Sequence, residues 1–374
     1  MGLAHSPKIV TDGLAFIYDT GSGKSYKGEP TTNLNTFTLS DSGTDGSGQS
    51  SVGTRTVISD NYVRIVDAAS NTRQTHVITG LTASTTYTLS IMYKKLTGAP
   101  TFRFQIQDYS GSSYLRTIKF TNTSEIGIQD KEGWQLASWT FTLGSDANAV
   151  RVWYQDGADY TTYTHSFELQ NPQLEAKSHA TQFVNGTRSV TEGLLDLTNN
   201  ATINLSNVSF DSNAQMVLDG TDDTINTGLF SGRNPATDPF TIEAVVKSDT
   251  TSGGRMWVDA TNNGSNQRLY CAHAATGTGT PMGIQGSGWS SSAPHDTDYH
   301  HYVIVMDGSV ARLYNNGEAH STKNYTSYQI QALNIGGRNT YRWFGDIPIF
   351  KLYDRALTAE EVLQNYNALK SRFS

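Results

Sequence analysis

Three aspartates that crowd into one short stretch of the sequence could bind a metal ion. They are Asp219, Asp222 and Asp223, in the run LDGTDDTI at 218–225. Carboxylates at this density suit Ca²⁺, which takes about six to eight oxygen ligands. The alternative is a turn without a metal, in which the carboxylates accept hydrogen bonds from nearby backbone N–H groups. Both interpretations stay open from the sequence.

Aromatic residues in polar loops offer a second chemistry, the stacking of a sugar ring on an aromatic face. The strongest candidate is the run RNTYRW at 338–343, which places hydrogen-bonding side chains beside two rings. The alternative for each ring is a role as a lid over the core. The predicted carbohydrate-binding residues are Trp289, Arg338, Asn339, Tyr341, Trp343 and Tyr109.

Two adjacent histidines, His300 and His301, could suggest a transition-metal site. Neighbouring residues of a strand point to opposite faces, so one site cannot easily use both. We therefore expect one ring to be packed and the other exposed, with no metal between them.

The composition favours short strands over helices. Only 16% of the 374 residues are charged, while 19 Tyr, 14 Phe and 6 Trp supply large surfaces to bury and 34 Gly suit tight turns. The chain is longer than a domain with a single hydrophobic core usually is. The predicted fold class is all-β, with two tandem antiparallel β-sandwiches of the jelly-roll type and one short C-terminal helix.

Charge and hydropathy exclude some partners. The net charge of −7 argues against nucleic acid, which requires a basic face. No run approaches the length of a membrane span, so we expect no membrane insertion. The first residues lack a charged segment followed by an apolar one, which predicts no signal peptide.

Strand patterns divide the chain into three parts. Residues 1–30 hold one apolar strand, LAFIY at 14–18, and are predicted to be an arm that packs on a later domain. Residues 31–185 and 186–374 are each predicted to form a sandwich. Thr358 and Glu361 form a capping-box pattern that predicts the start of a C-terminal helix.

The last part resembles the concanavalin A-like (laminin G-like) lectin/glucanase domain. The runs that carry this resemblance, in order, are LDGTDDTI (218–225), FTIEAVV (240–246), HHYVIV (300–305), RLYNNG (312–317), NIGG (334–337), FGDI (344–347) and LYDRALTAEE (352–361). The resemblance implies a sandwich that presents loops to sugars and often holds Ca²⁺, for which the three aspartates are the candidate ligands. The turn at 315–317 is expected to be a hairpin, and the glycine pair at 336–337 a close approach of strands.

Two further resemblances point to structural proteins of tailed phages that carry such a lectin fold. VTDGL (10–14), with KSY (24–26), is similar to their N-terminal strand, and QNYNALKSRF (364–373) to their C-terminal helix. PQLE (172–175) and ATQF (180–183) resemble the end of a carbohydrate-binding-module-like jelly roll. These resemblances imply a virion protein that is assembled in the host cytoplasm, forms a homo-oligomer, and contacts other virion proteins and host surface polysaccharide.

The sequence predicts a binding protein rather than an enzyme. Glucanases of the resembled fold carry two carboxylates in a Glu-x-Asp-x-Glu or Glu-x-Asp-x-x-Glu strand, and no such run occurs here. Glu243 has apolar neighbours and no carboxylate at i+2 or i+4. Three alternatives stay open: a secreted lectin or adhesin, a glycoside hydrolase without the usual pair, and a structural module without a ligand.

Overall fold

A computed structural model describes the chain as two compact units. The C-terminal unit comprises residues 1–30, 189–211 and 215–374, and the middle unit comprises residues 31–188 and 212–214. Among the described residues, no helix is long and apolar enough to span a membrane. The structure describes residues 8–35, 39, 54–68, 73–97, 102–111, 113–121, 126–129, 132–156, 165–250, 255–261, 268–273, 283–284, 296–325, 330, 332–338 and 341–373.

Nearly all of the regular structure is strand, which confirms the predicted all-β class. The strands up to residue 188 are β1 (Leu14–Asp19), β2 (Thr31–Thr32), β3 (Thr54–Ser59), β4 (Tyr62–Ala68), β5 (Arg73–Thr79), β6 (Thr86–Thr97), β7 (Phe102–Ser110), β8 (Ser113–Thr121), β9 (Ile126–Gln129), β10 (Gln135–Thr142), β11 (Ala149–Asp156), β12 (His165–Glu175) and β13 (Thr187–Arg188). Those that follow are β14 (Ser209–Phe210), β15 (Met216–Asp219), β16 (Ile225–Asn226), β17 (Phe240–Ser248), β18 (Arg255–Thr261), β19 (Arg268–His273), β20 (Gly283–Ile284), β21 (Tyr299–Met306), β22 (Val310–Asn315), β23 (Glu318–Asn324), β24 (Ala332–Ile335), β25 (Gly337–Arg338), β26 (Tyr341–Arg342) and β27 (Phe344–Tyr353). Helix α1 (Ala359–Leu369) follows, and a 3₁₀ turn (Lys370–Arg372) continues it.

The middle unit is a sandwich of two antiparallel sheets. One has the order β3-β4-β12-β6-β10-β9 and the other the order β5-β11-β7-β8. Along β10, buried and more exposed residues alternate as expected for a half-buried strand. The core lies between the sheets and includes Val63 and Leu89 from the first and Ile106 and Val150 from the second.

The C-terminal unit is the larger sandwich, and the first strand of the chain belongs to it. Its eight-stranded sheet has the order β14-β15-β27-β17-β21-β22-β23, and β1 pairs antiparallel with β27, with Tyr18 opposite Phe350. The second sheet runs β16-β24-β18-β19-β20, with β25 and β26 attached. Phe240 and Ile242 of the first sheet meet Trp257 and Ile335 of the second in the core.

Helix α1 covers the outer face of the eight-stranded sheet, which is the face away from this core. The predicted capping box is confirmed, because Thr358 accepts from Glu361 N and the Glu361 side chain accepts from Thr358 N. Val362 packs with Val303, and Leu369 packs with Val245 and Ile349. Leu363 is 46% exposed, because the buried stripe of the helix runs through 362, 365 and 369.

A charged cluster lies buried between this face and the helix. Glu243 on β17 is fully buried, and its Oε1 accepts from Lys351 Nζ at 2.6 Å and lies 2.9 Å from His301 Nε2. Its Oε2 accepts from Asn365 Nδ2 of α1 at 2.6 Å. Every oxygen of the carboxylate therefore has a charged or hydrogen-bonding partner, as a buried charge requires.

The same cluster holds the beginning of the chain against the helix. Asn365 Oδ1 accepts from Val10 N at 2.7 Å, and the Tyr353 hydroxyl donates to Val10 O at 3.1 Å. An ion pair between Arg372 and Asp19, at 2.7 Å, adds a further link between the two ends. Residues near both chain ends are thus fixed to one face of one sheet.

We expect Glu243→Gln to destabilise the protein in a pH-dependent way. Burial alone raises the pKa of Glu243, but Lys351 and His301 together lower it from 4.5 to about 2. That shift corresponds to roughly 3 kcal/mol of folding stability, which is present above pH 4.5 and lost as the pH falls towards 2. Urea unfolding from pH 7 to pH 2 should show the two proteins converging in acid.

The matched control is Glu318→Gln, which removes an exposed carboxylate on β23. The free energy of unfolding of this variant should match that of the wild-type protein at every pH. A constant gap between wild-type and Glu243→Gln down to pH 2 would contradict the assignment of the ionised carboxylate as the source of this stability.

Candidate functional site

The aspartate cluster forms a turn at the end of β15. Asp223 is 1% exposed, and its Oδ1 accepts from Ser209 N at 2.8 Å and from Ser209 Oγ at 3.0 Å. Its Oδ2 accepts from Asp219 N, and Asp219 Oδ1 accepts from Thr221 N at 2.7 Å. The carboxylates therefore accept hydrogen bonds that hold the backbone of the turn together.

The three carboxylates nevertheless stand close enough to share an ion. One oxygen from each of Asp219, Asp222 and Asp223 can lie within 4.8 Å of the others. Burial raises the pKa of Asp223, and the nearby charge of Asp219 adds to this. Burial also opposes ionisation of Asp219, but hydrogen bonds from Thr221 and Asp223 lower its pKa overall. The three aspartates fit Ca²⁺ only in part, because both carboxylate oxygens of Asp223 already accept hydrogen bonds from N–H and O–H donors.

The hairpin of β25 and β26 packs on this turn, so the structure brings together two sets of predicted residues. Arg342 Nη1 donates to Asp223 O at 3.4 Å and to Gly337 O at 3.1 Å. Arg255 Nη1 donates to Gly220 O at 2.9 Å and to Arg342 O at 3.3 Å. Sequence reasoning missed Arg255, because no local pattern connects β18 to a turn 35 residues earlier.

Two glycines make the tight hairpin sterically possible. Gly336 and Gly337 have φ values of +88° and +86°, in the left-handed region. A Cβ atom on Gly337 would lie 2.2 Å from Tyr341 O and 2.6 Å from Met256 O. The close approach of strands expected at this pair is confirmed.

Tyr341 projects from the hairpin with 44% of its surface exposed. Arg338 lies directly across from it in the pairing, and both Arg338 and Arg342 are partly exposed. The Nε atoms of these two arginines are buried and have no hydrogen-bond partner among the described residues. Tyr341 and Arg338 share one face of the hairpin, whereas Arg342, the strand neighbour of Tyr341, points to the other face, where its Nη1 reaches Asp223 O. An exposed aromatic face beside a guanidinium donor suits the binding of a sugar ring.

Two of the predicted sugar-binding rings prove to be core residues, which corrects the sequence-based assignment. Trp343 is fully buried, and its Nε1 donates to Lys247 O at 3.2 Å and to Asp346 O at 3.3 Å. Tyr109 is 3% exposed, and the Arg151 guanidinium lies 4.4 Å from its ring centre. Trp289 and Asn339 lie outside the described residues.

The two histidine rings contact different carboxylates. His300 Nε2 lies 2.8 Å from Asp296 Oδ1, whereas His301 Nε2 faces Glu243. The opposite directions expected of neighbouring strand residues are confirmed. The expectation that one ring is exposed is wrong, because each ring packs against other residues and is buried, with exposures of 7% and 4%.

Part of the C-terminal unit matches a known family model. Residues 219–363 match the family model of the concanavalin A-like lectin/glucanases superfamily. The match begins at Asp219 and includes the hairpin, Glu243 and the start of α1. No curated protein matches the chain.

Several solved structures of carbohydrate-active proteins are similar to parts of the chain. The CBM40 of the Ruminococcus gnavus IT-sialidase has 15% identity and a TM-score of 0.30, covering 34% of this chain and 83% of its own. Domain 4 of AbnA, a GH43 extracellular arabinanase from Geobacillus stearothermophilus solved with arabinotriose, has 15% identity, a TM-score of 0.35, and coverages of 48% and 93%. Trypanosoma rangeli sialidase has 16% identity, a TM-score of 0.38, and coverages of 47% and 31%. At these scores the similarities carry no argument about ligands.

We expect Asp223→Ala to destabilise the C-terminal unit and Asp222→Ala to leave it nearly unchanged. The first change leaves Ser209 and Asp219 N–H groups without acceptors, at a cost of about 2 kcal/mol. The second removes an exposed carboxylate, for which about 0.5 kcal/mol or less is expected. Urea unfolding of both variants measures the difference.

The same unfolding curves in calcium and in chelator decide the metal question. If the turn holds without a cation, chelator leaves the wild-type midpoint unchanged. A calcium-dependent rise that Asp222→Ala abolishes would instead establish a Ca²⁺ site at the three aspartates.

Proposed function

We propose that the protein binds carbohydrate without cleaving it, through a surface centred on Tyr341 and Arg338 that extends to Asp219 and Asp222. This set is called the hairpin surface below. The observation that carries the proposal is the exposed ring of Tyr341, which lies opposite Arg338 in the pairing of β25 with β26, in a region that matches a lectin/glucanase family model.

Each part of the hairpin surface corresponds to one feature of a sugar. The Tyr341 ring offers a face to the C–H side of a pyranose. Guanidinium groups donate to ring and hydroxyl oxygens, and the exposed carboxylates accept from hydroxyls. Because the Asp219–Asp223 turn and Gly337 fix the backbone beneath, these groups are organised before a ligand arrives.

The carboxylates of Asp219, Asp223 and Glu243 are poorly suited to glycoside hydrolysis. Asp219 and Asp223 are close enough to form a pair, but Asp223 is buried and both of its oxygens accept internal hydrogen bonds. Glu243 is closed off by Lys351, His301 and Asn365. A hydrolase remains the alternative, and it would release reducing ends from a bound polysaccharide and lose that activity in Asp219→Asn.

We further propose that the protein is a structural component of a tailed-phage particle, such as a fibre, tail appendage or capsid decoration. The proposal is supported by the resemblance of residues 10–26 and 364–373 to phage proteins. A symmetric homo-oligomer would multiply weak single-site affinity for host polysaccharide through multivalency. Mass spectrometry of purified particles tests membership; a secreted lectin, the alternative, would be found free in the medium.

We expect Tyr341→Ala to weaken binding to bacterial surface polysaccharide by about tenfold or more, since it removes the stacking face. Binding of the purified full chain to a panel of such polysaccharides, by biolayer interferometry, measures the effect. Tyr341→Phe, which keeps the ring, should retain most of the affinity.

Tyr114→Ala is the matched control, because Tyr114 of the middle unit is 53% exposed and lies outside the hairpin surface. Equal loss in both variants would count against a site at Tyr341. Absence of binding across the panel by folded wild-type protein would favour a decoration or assembly role without a sugar ligand.

A further inference from the structure

A cleft of about 430 Å³ opens on the outer face of the eight-stranded sheet, where helix α1 ends. None of its lining residues belongs to the hairpin surface. Its volume lies within the range of about 300–1,000 Å³ that is typical of small-molecule sites. The lining residues are Val245, Tyr299, His300, His301, Asn316, Tyr366, Leu369, Lys370, Ser371 and Phe373.

Three partly exposed aromatic rings line the cleft from two sides. Tyr299 comes from β21, and Tyr366 and Phe373 come from the end of the chain. The Tyr299 and Phe373 ring centres are 5.1 Å apart, and the Tyr366 ring lies 5.8 Å from His301. The buried side chains of Val245 and Leu369 complete an apolar surface that partly faces solvent.

His301 supplies a buried atom that needs a hydrogen-bond donor. Its Nε2 lies 2.9 Å from the ionised carboxylate of Glu243, so Nε2 carries the hydrogen and donates it. The other ring nitrogen, Nδ1, is then an acceptor when the ring is neutral. It is buried and has no partner among the described residues, which leaves an unsatisfied polar atom in the ring that lines the cleft.

Asn316 supplies a complementary donor. It lies in the tight turn between β22 and β23 with φ +49°, and its Oδ1 accepts from His301 N at 3.0 Å. Among the described residues, its Nδ2 group has no hydrogen-bond partner and can donate to a ligand. Lys370, whose Nζ donates to Asn367 Oδ1 at 2.8 Å, and Ser371 add polar groups at the exposed end of the chain.

We propose that this cleft binds one hexose unit of a polysaccharide, with its C–H face against Tyr366 and its hydroxyl groups bonded to His301 Nδ1 and Asn316 Nδ2. The inference rests on the proposed carbohydrate binding but assigns a second, separate site. A purely apolar ligand would leave both polar atoms unsatisfied.

Isotope-labelled full-length protein provides the test. The ¹⁵N resonances of the His301 ring are followed during titration with free glucose, galactose, mannose, rhamnose, N-acetylglucosamine and N-acetylgalactosamine. A shift of Nδ1 with at least one sugar is expected. No shift of that resonance with any of the six sugars would overturn the proposal.

Two variants locate the sugar. Asn316→Asp keeps the turn-forming oxygen but removes the Nδ2 donor, and should weaken the affinity for the free sugar by about tenfold. Asn324→Asp introduces the same charge at an exposed position at the end of β23 and should not weaken it. Equal effects of the two substitutions would overturn the assignment to the cleft.

Tyr341→Ala separates this proposal from the previous one. This substitution should leave the shift of His301 Nδ1 with free sugars unchanged, while it reduces polysaccharide binding. If Tyr341→Ala loses polysaccharide binding and the wild-type protein shows no Nδ1 shift with free sugars, the hairpin site is supported and the cleft site is overturned. If Nδ1 shifts with a free sugar and Tyr341→Ala binds polysaccharide as the wild-type protein does, the cleft site is supported and the hairpin surface is overturned as a sugar site.

Discussion

A carboxylate removed from water has to be neutralised where it lies, and Glu243 places that requirement at the centre of the C-terminal unit. Its partners are 58, 108 and 122 residues away in sequence, on β21, β27 and α1. Because each partner is also fixed in its own strand or helix, satisfying the carboxylate fixes how those elements meet. The position of α1 on the sheet follows, and with it the wall of the aromatic cleft.

Local sequence patterns were sufficient wherever a structural feature depends on neighbouring residues. The Asn316-Gly317 turn has positive φ at both positions, as a two-residue hairpin requires. The capping box at Thr358 and the tight approach at Gly337 were predicted for similar reasons. In each case the deciding interaction is steric or spans three or four residues, so the residue types alone specify it.

Features made by distant residues could not be predicted in this way. Trp343 stands in a polar run that suggests an exposed loop, yet the carbonyl oxygens of Lys247 and Asp346 satisfy its indole and allow burial. In the sequence Glu243 has no charged partner nearby, because the residues that contact its carboxylate, Lys351 and His301, lie on other strands. The cleft combines Tyr299 and His301 with Tyr366, and no spacing in the sequence links these segments.

The pairing of β1 with β27 has a consequence for synthesis on the ribosome. Tyr18 can pair with Phe350, its partner on β27, only after Phe350 has been synthesised. At about 5–20 residues per second, that interval is roughly 20 s to 1 min. The middle unit has all of its sheet strands by residue 188 and can fold within this time. During the same period the apolar strand β1 has no sheet to join, so the nascent chain carries an exposed, aggregation-prone segment that is covered only after β27 has been made.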